Sequence, residues 1–572
     1  MTESDIVYNR GYEQHQAKRY AEAFELFNKA ASLGNGYALC MLGVYYQNGV
    51  YVKEDERTAR KYYERAAEKG SPRANSELGS MYAQGRAGLS VDYDRAVYHF
   101  KRGAAGGDAI ALYNLAKAYE YGVGGLTKSM TEAVYNIYCS AQKGYEPAID
   151  LLEEWSHDKN LCVAGYDLGL MYEDGKGVEK DLAKAYQYFK RAADLGNHNS
   201  MAAIGRWYFN GVYFKRDYAQ AVKWFKLAAE KANMLAEYFL GVCYEEGKGV
   251  EKSDGLAFVY YKYAAEKGHI AAQYRFGNCY ECGKGTQKNP KAAFEWYQKS
   301  AAQGNISAKN ALGNCYFNGF GVQEDLKKAA ELYHEAAEAG SLPAQYSLGV
   351  CLDMGYGVEK NCGEAAFWYE KAAIKGYAKA MLELARSYEL GTGVEQDGET
   401  ALEWYEKAAS GGVARANGFL GHLYFDGKLF PKDIQKAAAY FRRGAEAGNG
   451  WCMNELANLY LDGEGVPKDE GAAFQWFRRA SEAGNNTATN NLAYCYEHGL
   501  GVKQDYKEAF KYYKQAADKG NVTSMFHLAE CYENGHGTRA DMKNAKKYYL
   551  EAERGGVSKA TAALDRLKVK RK

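Results

Sequence analysis

The sequence has little proline, 6 residues in 572, so proline-rich linkers between domains are not expected. Neither sign of charge dominates, with 73 basic against 72 acidic side chains. That balance excludes the strongly basic footprint of a nucleic-acid binder or of a protein held on an anionic membrane. Long apolar runs are missing too, so no membrane insertion is expected. The opening residues, MTESDIVYNRGYEQ, lack a basic segment followed by an apolar one, so no secretory signal is expected. In that setting the 12 cysteines read as reduced thiols of a cytoplasmic protein. What the chain has in quantity is glycine (63) and tyrosine (52), and 47% of it is hydrophobic, enough for a large core.

The stretch DGKGVEKDLAKAYQYFKRAADLG, Asp174 to Gly196, looks at first like a glycine-rich phosphate loop opening a helix. A phosphate loop follows a strand and occurs once. This pattern recurs. Let the small residue of its Leu-Gly or Leu-Ala type dipeptide be position zero. It falls at Gly43, Gly79, Ala116, Gly169, Gly205, Gly241, Gly277, Gly313, Gly349, Ala385, Gly421, Ala457, Ala493 and Ala529. From Gly169 to Ala529 the interval is ten steps of 36 residues without an insertion.

Each unit explains itself as two helices. Helix A carries position zero, with Tyr at +3 in thirteen units and Leu352 as the exception. Glycine in mid-helix costs about 1 kcal/mol relative to Ala, so it is expected where two helix backbones approach closely. A glycine-containing loop follows. It ends in every unit on Asp, Ser or Asn, for example Asp181, Asp217 and Asn361. Such a residue caps helix B, a contribution of roughly 1 kcal/mol. Four residues later stands Ala in all fourteen, for example Ala185 and Ala221. Helix B then presents paired aromatics such as Trp224-Phe225, Trp296-Tyr297 and Trp368-Tyr369.

The segment between Ala308 and Gly340, with its A-x-x-x-L-G-x-x-Y-x-x-G-x-G-V core, resembles the Sel1-like repeat family, relatives of the tetratricopeptide repeats. The resemblance covers nearly the whole chain. It implies an all-α fold, a right-handed α-solenoid of about 15 helix-turn-helix repeats. It also implies a non-enzymatic scaffold for protein partners, with helix A lining the concave face, and no cofactor.

Three places depart from the period. Residues 1–34 read as two helices joined by the short turn AKRY, a tetratricopeptide-like capping repeat before the first block, 35–144. Ala116 and Gly169 are 53 residues apart, one period plus 17, which places an irregular helix and a hinge at 145–165 before the second block, 166–556. Residues 557–572 read as a closing helix with a basic end, a solubilising cap or a targeting tag.

Candidate chemistry is thin. Cys243, Cys279, Cys315, Cys351, Cys495 and Cys531 share position +2, where a small buried residue suffices. Cys279 and Cys282 form a CxxC without the second pair that a zinc site needs. No nucleophile with a base stands out, so no catalytic or metal-binding residue is expected. The buried stripe of helix A is expected at −5, −1, +2 and +3. The opposite stripe is then −3, +1 and +4. It carries Tyr166, Tyr238, Tyr274 and Tyr346 at −3, and Asn278 and Asn314 at +1. At +4 stand Glu173, Glu245, Glu281, Asp353 and Glu389, among eight acids in fourteen units. A carboxylate near a helix C-terminus opposes the macrodipole by about 0.3–1 kcal/mol, so helix stability does not account for these acids. Two readings stay open: ion pairs with loop Lys or Arg of a neighbouring repeat, or an acidic, aromatic-lined groove for a protein or peptide with a basic, apolar segment. A helical-repeat RNA reader and a host-interacting effector of a bacterium or parasite are the alternative functions.

Overall fold

The structure, a computed structural model, describes residues 2–568. The described residues form thirty-two α-helices and one 3-10 turn, with no strand. They fall into two compact units, residues up to 288 and residues from 289. Within each unit helices pair as A and B, and each B packs on the next A. The chain is thus an α-solenoid of repeated helix pairs.

The loop between A and B is held from both ends. Helix A stops on a glycine in the left-handed conformation, such as Gly247 at φ +69°. The capping residue then accepts from the first turn of helix B, as Asp181 does from the N–H groups of Ala183 and Lys184. The N–H of the cap also returns to the carbonyl at +3, Ser253 to Tyr244 at 2.9 Å. The second loop glycine meets the preceding repeat. At Gly249 and Gly357 a Cβ would overlap the carbonyl oxygens of Tyr218 and Leu326, in the first turn of the previous helix B. The phosphate-loop look of this segment therefore comes from a contact between repeats.

Position zero has a different cause from the expected one. The neighbour of the glycine is an aromatic ring at +20 on helix B of the same repeat, rather than a helix backbone. A Cβ on Gly241 would lie 2.5 Å from the Tyr261 ring, and on Gly313 2.6 Å from the Tyr333 ring. These rings are fully buried or nearly so. Ala takes the place in five repeats, so the packing yields to a methyl group.

The core runs along −5, −1 and +2 of helix A, illustrated by Ala236, Leu240 and Cys243, each fully buried. Position +3 meets the expectation in part: Tyr172, Tyr244, Tyr316 and Leu352 are buried, whereas others, such as Tyr46, Tyr208 and Tyr496, are only half-buried. The rings of the second group lie at the edge of the core. The Ala four residues after each cap is buried throughout, with Ala185, Ala221 and Ala293 at 0% exposure. In the helix-B aromatic pairs the second ring is buried, while Trp224, Trp296, Trp404 and Trp476 are half-buried. Trp368 differs, at 3% exposure.

The long interval holds an added helix, Glu146–Trp155, and a 3-10 turn, Lys159–Leu161. The helix buries Ala148, Leu152 and Trp155 and packs between Met130–Ala141 and Cys162–Asp174. Beside it lies a cavity of about 350 Å³ with Val134, Tyr138 and Asp167 in its wall. Burial pushes the Asp167 carboxyl up to about 7. A folded-state value above the unfolded one means that stability from this group is complete below about pH 4 and is lost as pH rises through 7. Urea midpoints of the wild type should therefore fall relative to Asp167→Asn between pH 5 and 8. Parallel pH profiles would show an ordinary, solvated carboxylate.

At the start of the chain, Glu3–Gln16 and Tyr20–Ser32 pair across a three-residue turn. At the other end Ser558–Arg566 closes the last repeat. Most of the basic end, 569–572, lies outside the described residues.

Candidate partner-binding face

Both ends of the proposed stripe flank the buried ring at +20. The aromatics at −3 stand against it: Tyr166 on Phe189 at 5.9 Å, Tyr238 on Tyr261 at 6.1 Å, Tyr346 on Tyr369 at 6.1 Å. Tyr238 also stacks on His269, the N-cap of the following helix A, at 4.5 Å. All three are half-buried, as are Tyr274, Asn278 and Glu281.

The acids at +4 receive the phenol at +20. Tyr261 Oη donates to Glu245 Oε2 at 2.7 Å. Tyr513 donates to Glu497 at 2.7 Å and Tyr549 to Glu533 at 2.6 Å, and Tyr405 donates to Glu389. Burial first, and the carboxylate partner second, push the Tyr261 and Tyr405 phenols far above their ordinary range. Asp353, one carbon shorter, lies 3.5 Å from Cys362 Sγ.

Arginines of the next helix A complete several of these sites. Arg206 Nη2 reaches Glu173 at 3.0 Å, and Arg275 Nη1 reaches Glu245 at 3.5 Å. Of the expected loop cations, Lys284 stands 3.5 Å from Glu245. The acids are therefore not free surface charges: the side chains of Glu173 and Glu245 are only 14% and 18% exposed.

A pairing rule that single positions do not show links +4 and +20. Where +20 is Tyr, +4 is an acid or an amide; Gln47 accepts from Tyr63 at 2.7 Å. Where the ring is Phe, at +20 for Phe225, Phe441 and Phe477 and at +21 for Phe100, +4 is apolar: Phe209, Phe425, Leu461 and Ala83 in turn. Two repeats break the rule and repair it. Phe189 leaves Glu173 without a phenol, and Trp207 Nε1 supplies the bond at 2.7 Å. Tyr333 faces Phe317 at +4, and the exposed Asn314 at +1 accepts its hydroxyl at 2.7 Å. Comparing +4 with +20 across the repeats would have revealed the role of the acids.

Water-exposed apolar groups lie beside the stripe. Met354 and Leu390, each one residue past an acid at +4, are 51% and 58% exposed. The face thus offers partly covered carboxylates, aromatic edges and exposed aliphatic side chains. The buried thiols at +2 have another character: burial pushes Cys243, Cys279 and Cys531 up to about 12, so thiolate is negligible at neutral pH.

The Sel1 repeat profile matches fifteen segments, four in succession over residues 8–145 and eleven over 163–557, with none on 146–162. The chain is similar to c5321, a protective antigen of uropathogenic Escherichia coli strains with an SLR fold. The two are 31% identical over 83% of this chain and 98% of that one, at a TM-score of 0.56. It is also similar to a Sel1 repeat protein from Oxalobacter formigenes, 26% identical over 56% of this chain and 95% of that one, at a TM-score of 0.44. With its helix pairs, their shared ring-and-acid packing and fifteen matched segments, the chain belongs to the Sel1 repeat family.

Proposed function

We propose that this protein is a non-enzymatic scaffold that binds another protein along its helix-A face, the concave side in the arrangement the family resemblance implies. The observation that carries this reading is a stripe assembled across the repeats from aromatics at −3, polar groups at +1 and acids at +4. It is complete within a single repeat at Tyr274, Asn278 and Glu281, and exposed Met354 and Leu390 each stand beside an acid of other repeats. Tyrosine offers a large contact at low entropic cost, and carboxylates attract a basic segment. The partner we infer is a protein or peptide with Lys or Arg among apolar residues.

A clean test removes charge and keeps the internal hydrogen bonds. Gln47 shows that an amide accepts the phenol. Glu245→Gln, Glu281→Gln and Glu389→Gln together should therefore leave the helical content unchanged. Association with the partner captured by pull-down and mass spectrometry should slow about tenfold at low salt, as removed steering charges do. The salt dependence should flatten as well. A folded triple variant with unchanged association kinetics would rule out this face.

A further inference from the structure

Position +3 of helix A is Tyr in every repeat but one. In several repeats its ring covers the first helix-B aromatic of the same repeat. Tyr244 stacks on Tyr260 at 5.6 Å and 4°, Tyr496 on Tyr512 at 5.7 Å and 7°, and Tyr532 on Tyr548 at 5.9 Å and 3°. The exception is Leu352, whose branched side chain cannot reach across as a phenol does. The ring it would cover is Trp368. That indole meets His334 of the preceding helix B edge-on at 6.1 Å, and its buried Nε1–H has no acceptor.

Beside Leu352 opens a cleft of about 820 Å³. Leu348, Leu352 and Val358 form its apolar part, and Glu331, Glu335, Glu359 and Glu364 carry charge at its rim, Glu335 paired with Lys309. All four carboxylates are exposed. Lys360 and His334 also line it. The volume is in the range of about 300–1,000 Å³ of ligand pockets, room for an aromatic side chain together with the residues that flank it.

We propose that this cleft is the docking site for one aromatic side chain of a protein partner, flanked in its own chain by Lys or Arg. It rests on the protein-binding reading above and names the anchor. The ring enters beside Leu352, the position that carries tyrosine in the other repeats; it does not stack on Trp368, which is already buried and lies outside the cleft wall. The acids stand at the rim, where the flanking residues of an inserted segment run, so the complementary charge is positive. A protein segment fits better than a free small molecule, because the charged groups surround the mouth rather than the apolar floor.

The test is to close the cleft with the residue the chain uses elsewhere. Random peptides are displayed against the full-length protein, and bound clones are counter-selected against Leu352→Tyr. Clones that discriminate should carry Trp, Tyr or Phe next to Lys or Arg. Synthetic versions should bind Leu352→Tyr about tenfold more weakly or worse, as loss of a buried aromatic anchor does, while this variant melts at or above the wild-type temperature. Should Leu352→Tyr misfold, the exposed pair Glu331→Gln and Glu364→Gln serves instead. It should weaken the same peptides about threefold and flatten their salt dependence. The proposal is overturned if no clone discriminates, or if the discriminating clones are acidic or lack an aromatic. Binders that ignore both variants but respond to the triple Gln variant would keep the helix-A face and remove this cleft.

Discussion

Trp368→Ala is expected to destabilise the protein by about 3–5 kcal/mol, the usual loss for a large buried ring. The indole is 3% exposed, touches His334 and Phe367, and holds Lys371 Nζ 4.3 Å over its face. Its four counterparts at this position are half-buried, so the same change at Trp404 should cost less. Solenoid repeats touch only their neighbours, so the loss should appear first as local opening around the Gly349 repeat. Hydrogen exchange in Leu342–Met354 and Cys362–Ile374 should accelerate before that of distant helices. A urea curve coincident with the wild type would refute the packing described here. Trp368→Phe should cost less than Ala, because it keeps a ring and removes a buried N–H that has no partner.

A comparably large loss, about 3–5 kcal/mol, is expected for Tyr261→Ala. This ring is fully buried, packs against Gly241 and anchors Glu245. Tyr261→Phe separates the ring from the hydroxyl. It leaves the largely buried Glu245 carboxylate without its best donor and should cost about 1–3 kcal/mol. The chain's own pairing rule then makes a stronger prediction. Phe at +20 occurs with Phe or Leu at +4, so adding Glu245→Leu to Tyr261→Phe should restore much of the lost stability. Glu245→Leu alone strands the phenol and should destabilise. The double-mutant cycle in chemical denaturation should give a clear coupling energy between the two positions, of about 1 kcal/mol or more. Additive effects would mean that the hydrogen bond is incidental to the pairing.

Much of this architecture can be read without coordinates, because it is local. Caps such as Asp181 and Asp217, the left-handed glycines and the 36-residue period involve residues a few positions apart. The acids were harder. Glu245 and Tyr261 are 16 residues apart and meet only because the loop brings helix B back along helix A. A helical wheel of helix A alone puts Glu245 on the side away from the core, and in that sense it is right. The wheel omits the hydroxyl that reaches out from a ring whose body is buried. For the same reason the glycine at position zero suggested two backbones in contact, when its neighbour is the flat face of that ring.

The sequence by itself determined the class of fold, the number and length of the repeats, the break in the period between Ala116 and Gly169, and Leu352 as the one missing tyrosine. Backbone hydrogen bonding, capping and apolar periodicity act within a few turns, so their signals survive in a linear reading. Only the tertiary structure decided which carboxylates are held internally, that Trp368 is buried where Trp404 is not, and that a cleft opens beside Leu352. Those outcomes depend on how far a side chain reaches across two packed helices. That distance is set by the approach of the helices, which no single segment of the chain encodes.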